Sequence, residues 1–319
     1  MQTLRPLSVL ALAIAGLSTS AAELGQQDLG STGALVSSCA GIATGAFPTE
    51  GNRFDWQVGK SNCSAFSTTT PGQLLSASNS YTQASPSIQA DTHGSAQYGS
   101  VGMYAHFRAN ASAGFAASEL LIQDNRVIGE TTAGWTDTLT LMPVNPAQIG
   151  QNAVLSFSLH LDGVLDGLPA GNSYTRIGTQ VWLNNAATAS NFRAQGQGQG
   201  GFPFHQVINQ DLNFNVTVKL GTPFELGIFS RASVGTAGAG PNWFSEATSD
   251  FASTLTWQGI SGVKLGGNAI GYTLSSQSGI DWTQAYAPVP EPASWGLLAV
   301  GLWVLARRGR TERRGEHGR

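Results

Sequence analysis

The chain has 319 residues, with 40 glycines, 13 prolines and only 35 charged side chains, 16 basic and 19 acidic. Charge this sparse, with Ser, Thr, Asn and Gln at the polar positions, excludes Lys- and Glu-rich helical bundles and favours strands joined by glycine-rich turns, while a hydrophobic share of 41% argues against general disorder. Seven of the basic residues are Arg5 and six arginines within the last thirteen positions, so residues 23–289 hold nine basic against sixteen acidic groups, a balance that excludes the electrostatic footprint of a nucleic-acid binder.

Residues 1–22 read as a cleaved secretory signal peptide. Arg5 gives the positive start, Leu7 to Leu17 the short apolar run, and Ser20-Ala21-Ala22 the small side chains of a cleavage site, so the mature chain is expected to begin near Glu23. An exported chain meets an oxidising compartment. Cys39 and Cys63, the only two cysteines, are therefore expected to form a disulfide that ties down the N-terminal segment.

Residues 23–286 form the body, expected to be one all-β domain. The clearest strands lie at 152–162, where Leu155, Phe157, Leu159 and Leu161 alternate with Ser156, Ser158 and His160, and at 211–220, where Leu212, Phe214, Val216, Val218 and Leu220 alternate with polar residues. Such one-sided alternation marks an antiparallel sheet with one face on a core and the other in water. Weaker strand patterns at 98–109, 120–128, 135–141, 179–184, 224–230, 251–257 and 270–274 bring the total to about nine. No long 3.6-residue apolar stripe appears between 23 and 288, so the expected fold is an antiparallel β-sandwich of jelly-roll or lectin-like type, its core strands between about 80 and 280. The stretches 195–201 and 235–241 read as glycine-rich surface loops, and 67–87 as an edge or a long connection.

Candidate chemistry in the body is thin. His93, His106, His160, His205 and His317 lack the spacing of a metal site, and His106 and His160 fall at outward strand positions. No metal site is expected; Asp162-Gly163 and Asp166-Gly167 read as turns, with Ca²⁺ as the alternative use of their oxygens. Glu246 and Asp250 would share one side of an extended segment, but they read as acidic residues of a solvated loop entering a strand, and no catalytic residues are assigned. Most of the tryptophans are expected in the core. Trp243, within a glycine-rich loop, is the candidate ligand-binding residue.

Residues 287–319 are a sorting tail. Pro290-Glu291-Pro292 is followed by an apolar run from Ala293 to Ala306 and then by the basic stop Arg307, Arg308 and Arg310. Fourteen apolar residues reach roughly 21 Å as a helix, short of the roughly 30 Å hydrocarbon core, yet able to insert as a single transmembrane helix if the flanking arginines snorkel. The arginines would stay on the cytoplasmic side, leaving the body outside. The prolines hold Glu291 in an extended, accessible backbone. The run Val289-Pro290-Glu291-Pro292-Ala293-Ser294, the Gly- and Leu-rich helix and the arginine cluster together resemble the PEP-CTERM sorting signal. The resemblance implies recognition by an exosortase-type sorting enzyme, processing at or near Val289, Pro290, Glu291 and Pro292, and a final location at the cell surface or outside the cell. It also implies a non-enzymatic structural or adhesive role in the exopolysaccharide layer; a carbohydrate-binding module and, further off, a glycan hydrolase are the alternatives.

Overall fold

The computed structural model describes residues 32–41, 61–84, 87–110, 126–168, 173–184, 186–198, 203–236 and 244–286. The chain divides into two units, residues 1–285 and 286–319, and the strands among the described residues lie in the first. In chain order the strands are β1 (Gly33–Gly41), β2 (Ser61–Thr68), β3 (Leu75–Ala84), β4 (Ser87–Gln97), β5 (Ser100–Asn110), β6 (Arg126–Pro143) and β7 (Asn152–Gly167). There follow β8 (Ser173–Leu183), β9 (Ala186–Gly198), β10 (Phe204–Lys219), β11 (Phe224–Thr236), β12 (Phe244–Leu265), β13 (Asn268–Ala269) and β14 (Tyr272–Ser276).

They build two antiparallel sheets. The first runs β2-β1-β6-β11-β8-β9, with β14 beside the far end of β6; the second runs β10-β7-β12-β5-β4-β3, with β13 against β12. The alternating segments read from the sequence are β7 and β10, and they pair along their full length, with Phe214 opposite Phe157 and Leu212 opposite Leu159. Leu155, Phe157, Leu159 and Leu161 of β7 and Leu212, Phe214, Val216 and Val218 of β10 are buried, while Ser158, Asn213 and Asn215 line the wetter face.

The sheets pack face to face. Trp135 of β6 meets Trp257 of β12 edge-on with ring centroids 5.7 Å apart. Hydroxyls cross the interface: Thr131 donates to the Tyr104 carbonyl at 2.9 Å, Thr175 to the Thr248 carbonyl at 3.1 Å, and Ser38 to Thr92 at 2.8 Å. Part of the core is small, with Ala40 and Val234 of the first sheet against Ile88, Ala90, Ala105, Phe107, Ala109 and Ala247 of the second. Short side chains there let the sheets come close enough for the hydroxyls to bridge them.

Several expectations are corrected. The core begins at β1 and not near residue 80: all nine residues of β1 are buried, and it lies inside the first sheet between β2 and β6. A strand covered on both faces loses the alternation by which a half-wet strand is recognised. Residues 195–198 belong to β9 and 235–236 to β11. Of the two readings of 67–87 the edge holds: most of the stretch is strand, and β3 forms an edge of the second sheet. Asp162-Gly163 and Asp166-Gly167 lie within β7, paired to β10 on one side, and are not turns. Gly163 serves a close approach instead, since a Cβ there would overlap the Phe251 ring and the Asp250 carbonyl oxygen on neighbouring β12.

Candidate functional site

Two features of the body bear on function: the fastening of its C-terminal segment and the outer face of the second sheet. After β14 the chain turns at Gly279 (φ +77°) and folds back on the end of the sandwich. The backbone N–H and the hydroxyl of Ser278 and the indole N–H of Trp282 all donate to the carboxylate of Asp137 on β6, at 3.1 Å for the N–H and 2.7 Å for the indole. Asp137 is fully buried, so these bonds are what make its burial tolerable. The Trp282 ring stacks on Trp135 at 4.2 Å and abuts Trp257, whose own indole N–H donates to the Trp282 carbonyl at 2.9 Å. Burial, and secondarily Asp137, push the nearby Tyr98 hydroxyl up to about 12. Gly259, at φ +95°, leaves room for the returning segment: a Cβ there would sit 2.9 Å from the Thr283 carbonyl oxygen. The body therefore holds its own last segment through a buried carboxylate and three indoles in mutual contact, one pair stacked and two edge-on.

The outer face of the second sheet collects ionisable groups. His106 of β5 meets Glu246 of β12 at 3.2 Å, with Arg108 at 3.9 Å from the same carboxylate; His160 of β7 meets Asp211 of β10 at 2.8 Å; His205 of β10 pairs with Asp166 of β7. His93 of β4 stacks on Tyr104 of β5 at 4.8 Å and 23°. Partial burial, then Asp250, Asp91 and Glu246 in that order, raise the Tyr104 hydroxyl above its ordinary value, which shows how many carboxylates gather round that ring. Beside them Ser78, Asn79, Ser80, Asp91, Thr92 and His93 line an open groove of about 530 Å³ between β3 and β4.

Cys39 and Cys63 are directly paired across β1 and β2 and form the expected disulfide. His106 and His160 do face outward. Glu246 and Asp250 lie on β12 and not in a solvated loop; Glu246 is drawn against His106, whereas Asp250 is exposed. Trp135, Trp257 and Trp282 are in the core. Trp243, the sorting residues Val289, Pro290, Glu291 and Pro292, the basic stop Arg307, Arg308 and Arg310, and the signal peptide lie outside the described residues. Among the described residues, no helix is long and apolar enough to cross a membrane and no group of three or more His, Cys, Asp or Glu could hold a metal ion. The sequence patterns did not single out Asp137, Asp91 or Tyr104, and pointed to His93 only as a histidine without metal-site spacing. A signal for three of them existed, because Gln89, Asp91 and His93, like Tyr104, His106 and Arg108, alternate with small or apolar residues at a period of two.

Residues 288–313 match the family model of the PEP-CTERM protein-sorting motif, so the chain carries that motif, which implies an exported protein processed by an exosortase. No curated protein and no solved structure matches the chain.

Proposed function

For a PEP-CTERM domain-containing protein built in this way, we propose the role of a non-catalytic component of the cell-surface or extracellular matrix. The signal peptide exports the chain, the apolar run after Pro292 holds the precursor at the membrane, and an exosortase-type enzyme acts at or near Glu291. The body then takes its place in the exopolysaccharide layer as a structural or adhesive element. The observation that carries this reading is the order of sorting motif, apolar run and arginine stop. The Asp137–Trp282 fastening supports it: the body's last segment is secured by residues of the body itself, so removal of the tail leaves those bonds in place.

The test uses the full-length protein with one epitope in the body and one after Arg319, expressed in cells that contain the sorting enzyme. The expected result is separation of the two epitopes, and retention of one full-length, membrane-bound species by Glu291→Ala. A wild-type chain that stays full length and bilayer-bound would overturn the proposal.

A further inference from the structure

We infer that the outer face of the second sheet is a binding track for an uncharged, hydroxyl-rich glycan, running across the strands from the groove on β3 and β4. This deepens the matrix reading and rests on it for the availability of such a polymer. Strand register places Ser80, Asp91, His106, Thr248, Asp166 and His205 side by side, one from each strand in the order β3, β4, β5, β12, β7 and β10. At the ~4.8 Å spacing of neighbouring strands, that row of six spans roughly 24 Å. None of the six is apolar.

The chemistry of the row selects the ligand class. Asp91 and Asp166 accept from hydroxyls, the imidazoles and the Ser and Thr hydroxyls both donate and accept, and a polyol meets each of these needs. Flat apolar surface lies alongside: the stacked rings of His93 and Tyr104 flank the row where the groove opens, with Arg108 over the Phe244 ring at 5.2 Å farther along β5 and β12. Ring faces of this kind take the C–H face of a sugar while its hydroxyls reach the neighbouring polar groups. Among the described residues along the row, Asp91, Asp166, Glu246 and Asp250 outnumber Arg108, with Lys219 and Lys264 at the far ends of β10 and β12, so a polyanionic glycan is repelled there. The groove of about 530 Å³, walled by Ser78, Ser80, Asp91 and His93, falls within the size range of small-molecule sites and anchors the track at one edge of the sheet.

The experiment titrates the folded, full-length protein with cellohexaose and dextran as neutral probes and with an alginate hexamer as the anionic one, by calorimetry at pH 7. At least one neutral probe is expected to bind and the alginate oligomer to bind at least tenfold more weakly. Asp91→Ala and Tyr104→Ala should each weaken neutral binding tenfold or more. His93→Ala, a change at an exposed position that leaves the core untouched, should weaken it severalfold. Asp211→Asn, on the same face but outside the row, should leave it unchanged. The inference is overturned if neither neutral probe binds, if alginate binds more tightly, or if the row variants bind as the wild type does. Cleavage of the tail is scored separately by the two epitopes, so failure of glycan binding and failure of the matrix reading are distinguishable.

Discussion

Glu130 with Arg231 on the first sheet, and Glu246 with His106 and Arg108 on the second, are both acid–base groupings across adjacent strands, set in opposite surroundings. The Arg231 Nε lies 3.4 Å from a Glu130 oxygen and donates to Thr132 at 3.2 Å, with the two charged side chains 4% and 1% exposed. The second grouping is open, with Glu246 at 29% and Arg108 at 63%. Neither Glu130 oxygen nor the Ser233 hydroxyl opposite it has a hydrogen-bond partner, and burial raises the Glu130 carboxyl to about 7 although Arg231 opposes the shift. Geometry of pairing is thus a poor guide to its worth: solvent decides whether a cross-strand pair holds the fold or decorates it.

The sharpest way to break this contrast is Arg231→Met, which leaves Glu130 buried without its cation. Denaturant unfolding at pH 9, where the wild-type Glu130 carboxyl is ionised against Arg231, should show a loss of about 3–5 kcal/mol. Next is the pH dependence. The folded state holds the Glu130 proton up to about pH 7 whereas the unfolded chain releases it near 4.5, so this group's contribution falls as pH rises between those values and is flat above. The expected decline is about 3 kcal/mol, and Glu130→Gln should abolish it.

Opening the disulfide by Cys39→Ser with Cys63→Ser, a link across 24 positions whose β1 end, Cys39, lies opposite Glu130 of β6, should cost about 3 kcal/mol by loop entropy. A midpoint unchanged from the oxidised protein would show that β1 is fixed by its sheet pairing alone. The smallest effect belongs to the open face: His106→Ala or Glu246→Gln should change stability by less than about 1 kcal/mol, and added salt should shrink that further. A loss as large as that of Arg231→Met would erase the distinction between the two faces.

The same difference explains which parts of the fold could be read in advance. β7 and β10 were legible because water on one face imposes strict alternation, and the outward setting of His106 and His160 followed from it. In β1 (GALVSSCAG), and in β6 around Gly129–Asp137, both faces are buried, so Ser, Thr, Ala and Gly occupy positions where alternation would otherwise show. Asp-Gly was misread as a turn because the demand on Gly163 comes from Phe251 on another strand, a neighbour no local rule contains.

By itself the sequence determined the sorting motif and the class of fold. The motif is a contiguous, local signal, and scarce charge with two-residue alternation is enough to call for antiparallel sheets. The fastening of the C-terminal segment and the polar row were decided only by the tertiary structure. Asp137 meets Trp282 across 145 positions, and the row takes one residue from each of six strands that are not in chain order. Such groupings exist only once register is fixed, and register is set by the packing of two whole sheets rather than by any stretch of chain.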